Sequence, residues 1–231
     1  MGEDWFLIMP VMPVKFFAGN FFMRWIMKNN RSQTIRKLVL IAVFTSFSVV
    51  LYFLKFPLPM IFPDFFKVHF ANLPAIIGGF VLGPVGGITI VVLRTLLKLP
   101  SSGTFGVGEL ADLLIGLAVV ISSSVFYKYN RTKKGGIIAL LLGTAAWVIV
   151  AVIANYFIIM PAYLKVTDTQ GVLAKLAVIK GINENNFMEY YILFAVIPFN
   201  LMLSIAVNIV TYFTYKKVSA LSKEFYEGGK E

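Results

Sequence analysis

FANLPAIIGGFVLGPVGGITIVVLRTLLKL, residues 70–99, is the stretch on which the fold turns. A helix needs about 20 predominantly apolar residues to cross a hydrocarbon core roughly 30 Å thick. At about 30 residues this run is too long for one untilted span. Gly83-Pro84-Val85-Gly86-Gly87 divides it, because glycine ends helices and proline opens them. Two shorter helices meeting in a tight hairpin are predicted. Ala75, Gly79 and Gly83 recur at every fourth position, a row of small side chains suited to close helix packing inside the protein.

Working outward from the hairpin, apolar stretches alternate with short charged links. A first span is predicted over 34–54, preceded by Arg31, Arg36 and Lys37. The loop at 55–67 follows, KFPLPMIFPDFFK, whose three prolines bar a regular helix. It is crowded with aromatics, which a merely solvated link would not be. Beyond the hairpin, a short loop at 100–104 leads to a span over about 107–127. A basic link carrying Lys128, Arg131, Lys133 and Lys134 closes on Gly135-Gly136. Spans over about 137–162 and 187–215 complete the set, separated by a polar segment at 165–186.

The totals agree with a membrane protein. Of 231 residues 58% are hydrophobic and 14% charged, and the mean hydropathy is +0.82. There is no cysteine, which excludes disulfide and thiolate chemistry. The net charge of +10 would suggest nucleic acid on a soluble protein, but no basic face exists outside the links, so no nucleic-acid partner is expected. Six lysines and arginines precede Leu38, four lie at 128–134 and four follow 215, against seven elsewhere. By the positive-inside rule both termini are then cytoplasmic, and the proline-aromatic loop and the 165–186 segment face outside. The expected fold is an all-α membrane protein of six transmembrane helices in a lipid bilayer, two of them short and forming the hairpin. An N-terminal extension occupies 1–33, the membrane domain 34–217 and a cytoplasmic tail 218–231. Two readings of the extension stand side by side. The segment 16–27, with Lys15, Arg24 and Lys28, is an amphipathic helix lying in the interface, or the natural protein begins at Met27.

Catalysis and metal binding find little support. His69 stands alone, with no cysteine or second histidine for a metal site. Glu109 and Asp112, three apart, share a helix face. As a carboxylate pair they are the one candidate for intramembrane acid–base chemistry, although acidic groups at a helix start more often satisfy its N–H groups and dipole. No phosphate-gripping loop is present, so any energy coupling must come from a partner. Polar residues inside spans are more telling, since burying an unpartnered amide costs roughly 2–7 kcal/mol. Asn155 lies in Ala154-Asn155-Tyr156-Phe157, Asn200 in Ile197-Pro198-Phe199-Asn200, and Asn208 two turns further in. Each has a plain explanation as an interhelical hydrogen bond. Pro198 favours a ligand role for Asn200, because a proline within a span frees a nearby carbonyl. An amide offers a donor and an acceptor together, which complements the imide edge of a flavin or pyrimidine.

Several blocks, in order, resemble the riboflavin-specific substrate-binding subunits of energy-coupling-factor vitamin transporters. They are Phe56-Pro57-Leu58-Pro59, the run from Asn72 to Pro84, Gly108-Glu109-Leu110-Ala111-Asp112, Asn155-Tyr156-Phe157 with Pro161-Ala162-Tyr163, and Ile197-Pro198-Phe199-Asn200. The resemblance extends from about Arg36 to Tyr215. It implies a six-helix protein of the bacterial cell membrane with a vitamin site in its outer half, lidded by the first loop. It also implies partnership with a membrane-embedded coupling subunit and two ATP-binding subunits. Riboflavin is then the transported ligand rather than a cofactor, held by Asn155 and Asn200, with Glu109, Asp112, Phe56, Phe62 and Phe66 around it. Some members carry a lysine one turn after the second asparagine, where this chain has Leu203. Related subunits present two alanines four apart to the coupling subunit, and here those positions are Ala42 and Ser46. A related subunit for thiamine or pantothenate is the alternative within the class, with Glu109 and Asp112 as the seat of a cation. An intramembrane enzyme using the same two carboxylates is the alternative outside it.

Overall fold

A computed structural model describes residues 31–102 and 106–227. Both readings of the N-terminal extension fall on residues outside these. Helix α1 spans Arg31–Phe53 and leads into a ribbon of two short antiparallel strands, β1 (Phe56–Pro57) and β2 (Lys67–Val68), with Phe56 opposite Val68. Helices α2 (Asn72–Leu82) and α3 (Pro84–Lys98) follow, the latter continuing as a 3-10 turn over Leu99–Ser101. Helix α4 spans Val107–Tyr129. Helix α5 covers 133–166 in three parts: α-helical Lys133–Ala154, a π-helical turn Asn155–Ile159 and α-helical Met160–Val166. A short α6 (Thr169–Lys175) precedes α7, which covers 187–227 as Phe187–Tyr191, a second π turn Ile192–Val196 and Ile197–Glu227.

Five of these helices are long and apolar enough to cross a membrane: Gln33–Phe53, Pro84–Ser101, Val107–Tyr129, Lys133–Lys165 and Phe187–Val218. The shorter α2, at 11 residues, rises only about 16 Å. It folds back on α3 through Gly83, whose φ of 85° is open to glycine and strained for other residues. Gly83 therefore serves the turn, and nothing packs where its side chain would be. Gly79 and Gly87 are the close approach in this hairpin: a Cβ on Gly87 would lie 2.8 Å from the Gly79 Cα and 2.5 Å from Val120. Ala75 is fully buried beside them.

The two π turns have a common cause. Each ends two residues before a proline, Pro161 and Pro198. Proline has no N–H for the carbonyl four residues back, and its ring crowds that carbonyl. One extra residue in the turn relieves the clash. The Met160 N–H reaches back to the Asn155 carbonyl and the Ile197 N–H to the Ile192 carbonyl.

Two expectations need correction. The 165–186 segment is not a plain polar loop. Asp168 caps α6 by accepting from the Gly171 N–H at 3.0 Å, and Val172, Leu176 and Ile179 are buried in the core. The basic residues do not all lie in links either. Arg94 and Lys98 are almost wholly buried on one face of α3. Helix α7 stays helical through Glu227, so the helix runs on into the segment expected to form the cytoplasmic tail.

Candidate ligand-binding site

A cavity of about 700 Å³ opens between the ribbon, α1, α4, α5 and α7. The π turns bear directly on its wall. Asn155 is the first residue of one, and Asn200 lies four residues beyond the other. Both asparagines are buried and both line the cavity. Asn155 donates through Nδ2 to the Ala151 carbonyl at 2.7 Å and accepts, at Oδ1, from the Tyr191 hydroxyl. Asn200 donates to the Val196 carbonyl at 2.8 Å and accepts from the indole N–H of Trp147 at 3.0 Å. An amide has two donors and two lone pairs, so each keeps one of each for a guest.

Aromatic rings lie between these amides and the ribbon. Phe66 stacks on Phe199 at 4.7 Å between ring centroids and lies parallel to Tyr191 at 6.0 Å. Phe65 contacts Tyr163 at 5.5 Å. The loop after α1 is thus fastened to α5 and α7 by ring contacts, each worth about 0.5–1.5 kcal/mol beyond area burial. The wall is therefore flat and apolar across its middle.

The opposite side of the cavity is ionic. Asp112 pairs with Lys98 and, at 3.3 Å, with Arg94, whose other nitrogen donates to the Asn72 side chain at 2.8 Å. Charges within a membrane bundle are expensive unless paired, and here they are. Tyr52 carries the network to the ribbon. Its ring lies 3.7 Å beneath the Lys98 ammonium, its hydroxyl accepts from Lys55 at 3.2 Å, and it donates a long bond to Glu109 at 3.4 Å. Glu109 also accepts from Ser102 at 2.6 Å. His69, immediately after β2, packs edge-on against Tyr52 and lies 4.0 Å from Asp112. Burial pushes its imidazole down to about 4, against the pull of Asp112. Burial and the neighbouring Lys67 ammonium likewise hold Lys55 below the ordinary lysine range.

Of the residues singled out in the sequence, Asn155, Asn200, Glu109, Asp112 and Phe66 come together on this cavity. Phe62 and Phe56 do not line it. Phe62 is in the core, edge-on to Phe199 at 5.2 Å, and Phe56 stands exposed on the ribbon. Asn208 instead bridges α7 to α5, donating to Thr144 at 2.6 Å and to the Leu140 carbonyl. Leu203 is buried on the cavity wall, while Lys55, Lys67, Lys165 and Lys175 line the cavity from or beside the loops. Sequence reasoning missed Arg94 and Lys98, though two cations four apart on an apolar helix were a visible signal. It also missed Trp147 and Tyr191, whose partners lie across the bundle and leave no local trace. Ala42 and Ser46 are exposed on α1, and the Ser46 hydroxyl turns back onto the Ala42 carbonyl at 2.9 Å.

A bundle of apolar helices around one aromatic and amide-lined cavity defines a membrane-embedded solute-binding protein. Residues 36–215 match the model of the ECF transporter substrate-specific component, and the chain belongs to that family. The riboflavin transporter RibU of Staphylococcus aureus (strain TCH60) is 30% identical over 191 residues, covering 83% of this chain and 94% of that protein. The riboflavin transporter FmnP of Bacillus subtilis (strain 168) is 31% identical over 182 residues, covering 76% and 88%. A solved structure of the S component of a bacterial ECF transporter superposes with a TM-score of 0.62 at 27% identity, covering 80% of this chain and 96% of that one. These relatives are transporter components rather than enzymes.

Proposed function

We propose that this chain binds riboflavin in the cavity beneath the ribbon and serves as the substrate-specific subunit for riboflavin uptake through an ECF module. The observation that carries this reading is the pair of buried amides facing one cavity, each with a donor and a lone pair to spare. A flavin's imide edge needs such partners, its ring system needs the flat aromatic middle, and its hydroxyl chain suits the polar side near Tyr52 and Glu109. The relatives that carry the name riboflavin transporter match along most of their length. Purified protein that retains the vitamin should be yellow and should quench the fluorescence of added riboflavin. Colourless protein that leaves that fluorescence unchanged would refute the assignment.

The Asp112 ion pairs argue against a site for a cationic vitamin, because its charge is already opposed by two cations. They argue equally against acid–base catalysis by the Glu109–Asp112 pair. We further infer six spans, with α2 as the short sixth, and both termini in the cytoplasm. The charge asymmetry supports this orientation, and it becomes sharper once Arg94 and Lys98 are taken out of the outer side. The ribbon then closes over the ligand from outside. The exposed Ala42 and Ser46 face is where the transmembrane coupling subunit docks, with two ATP-binding subunits behind it supplying the energy.

A further inference from the structure

Asn155 on α5 receives its hydrogen bond from Tyr191 on α7, and Asn200 on α7 receives its bond from Trp147 on α5. The bracing is reciprocal. In both cases the donor is an aromatic side chain of the opposite helix, and in both the amide nitrogen is taken by the carbonyl four residues earlier on its own helix. A backbone carbonyl accepts and never donates, and an indole N–H donates and never accepts. Rotating the Asn200 amide by half a turn would set nitrogen against the indole N–H and oxygen against the Val196 carbonyl, two repulsive contacts. The same rotation of Asn155 would set two lone pairs together at Ala151. Neither amide can therefore exchange its donor and acceptor ends to suit a guest.

We propose that Tyr191 and Trp147 are positioning residues that hold the Asn155 and Asn200 amides in the donor–acceptor order set by the Ala151 and Val196 carbonyls and the Trp147 indole, and that this held order selects a ligand edge of imide type. The proposal rests on the flavin reading above and deepens it. Tyr191 is the clearer of the two. It is fully buried and is not among the residues lining the cavity, so its influence passes through Asn155. Its ring lies parallel to Phe66 at 6.0 Å, so Tyr191→Phe removes the hydroxyl and keeps the packing. A heterocycle with an amino group in place of one ring carbonyl would set a donor where the ordered amides already present a donor. An amide free of all these partners could turn to meet it, and one held against a backbone carbonyl cannot.

Binding of riboflavin and of N3-methylriboflavin, which lacks the imide N–H, to wild type, Tyr191→Phe and Trp147→Phe tests this. Wild type should favour riboflavin clearly. Each variant should weaken riboflavin roughly two- to tenfold, the share of one hydrogen bond, while the methylated ligand changes by about twofold or less. The preference between the two ligands narrows accordingly. Equal weakening of both ligands in both variants would mean that the two side chains merely hold the packing, and the proposal falls while the flavin reading stands. Wild-type protein that binds neither ligand would overturn the flavin reading and this inference with it.

Discussion

Asn155 and Asn200 each join a helix backbone to an aromatic donor and still face the cavity. Replacing either with alanine removes the contacts to riboflavin proposed above and leaves a buried hydroxyl or indole N–H without its acceptor. Losing a buried partner in this way costs about 1–3 kcal/mol, so Asn155→Ala and Asn200→Ala should each weaken riboflavin on the order of 10- to 100-fold by fluorescence titration. Asp112 shows a second residue-scale effect. It is the shared counter-ion of Arg94 and Lys98, so Asp112→Ala strands two cations, whereas Arg94→Met leaves Asp112 with Lys98. Removing one partner of a buried pair costs about 3–5 kcal/mol. The aspartate change should therefore lower the thermal midpoint in detergent much more than the arginine change. His69 sets a pH dependence. With its folded-state value held near 4 against an ordinary 6.5, it is neutral in both folded and unfolded chains above about pH 6.5. As pH falls from 6.5 towards 4 the unfolded chain takes up the proton first, so the His69 contribution to stability is lost over that window. Melting temperatures of wild type should fall more across that window than those of His69→Gln.

At the scale of elements, the hairpin of α2 and α3 was legible because glycine and proline interrupt an otherwise uniform apolar run at 83–87. Its inner contact was less so. The row Ala75-Gly79-Gly83 pointed to packing, yet Gly83 serves the turn and Gly87, outside the row, meets Gly79. A Cβ at Gly87 would strike backbone, so Gly87→Ala should destabilise the folded protein by about 1–3 kcal/mol, seen as a lower midpoint in a detergent melt. The π turns had a sequence trace in Pro161 and Pro198, but a proline alone does not say whether a helix kinks, breaks or widens. Asn155 and Asn200 were legible because a lone amide stands out in an apolar span. Trp147 and Tyr191 were not, because an aromatic in such a span looks the same whether it packs or donates. The helix α6 went unread for a different reason: its anchors Val172, Leu176 and Ile179 are few and sit among polar neighbours. On α1, a bulky residue in place of Ser46 should leave riboflavin binding intact and reduce assembly with the coupling subunit, a contrast that pull-down and fluorescence titration would display together.

For the whole molecule, binding and transport separate cleanly. The chain holds a site and no phosphate-gripping loop, so in proteoliposomes it should bind riboflavin without accumulating it. Accumulation should appear when the coupling module and ATP are supplied. Transport against a gradient by this chain alone would contradict the division of labour proposed here. The ionic cluster beneath the ribbon has a consequence for how the protein is made. A cation at a helix centre opposes entry into the bilayer by about 2.5–3.5 kcal/mol; Arg94, in the body of α3, approaches that cost and Lys98, at the helix end, adds less. Their counter-ion, Asp112, belongs to α4 and leaves the ribosome later. The third helix is thus a segment that the insertion machinery should hold back until its successor emerges, and α3 should cross-link to that machinery in nascent chains ending between α3 and α4 but not in chains extended through α4.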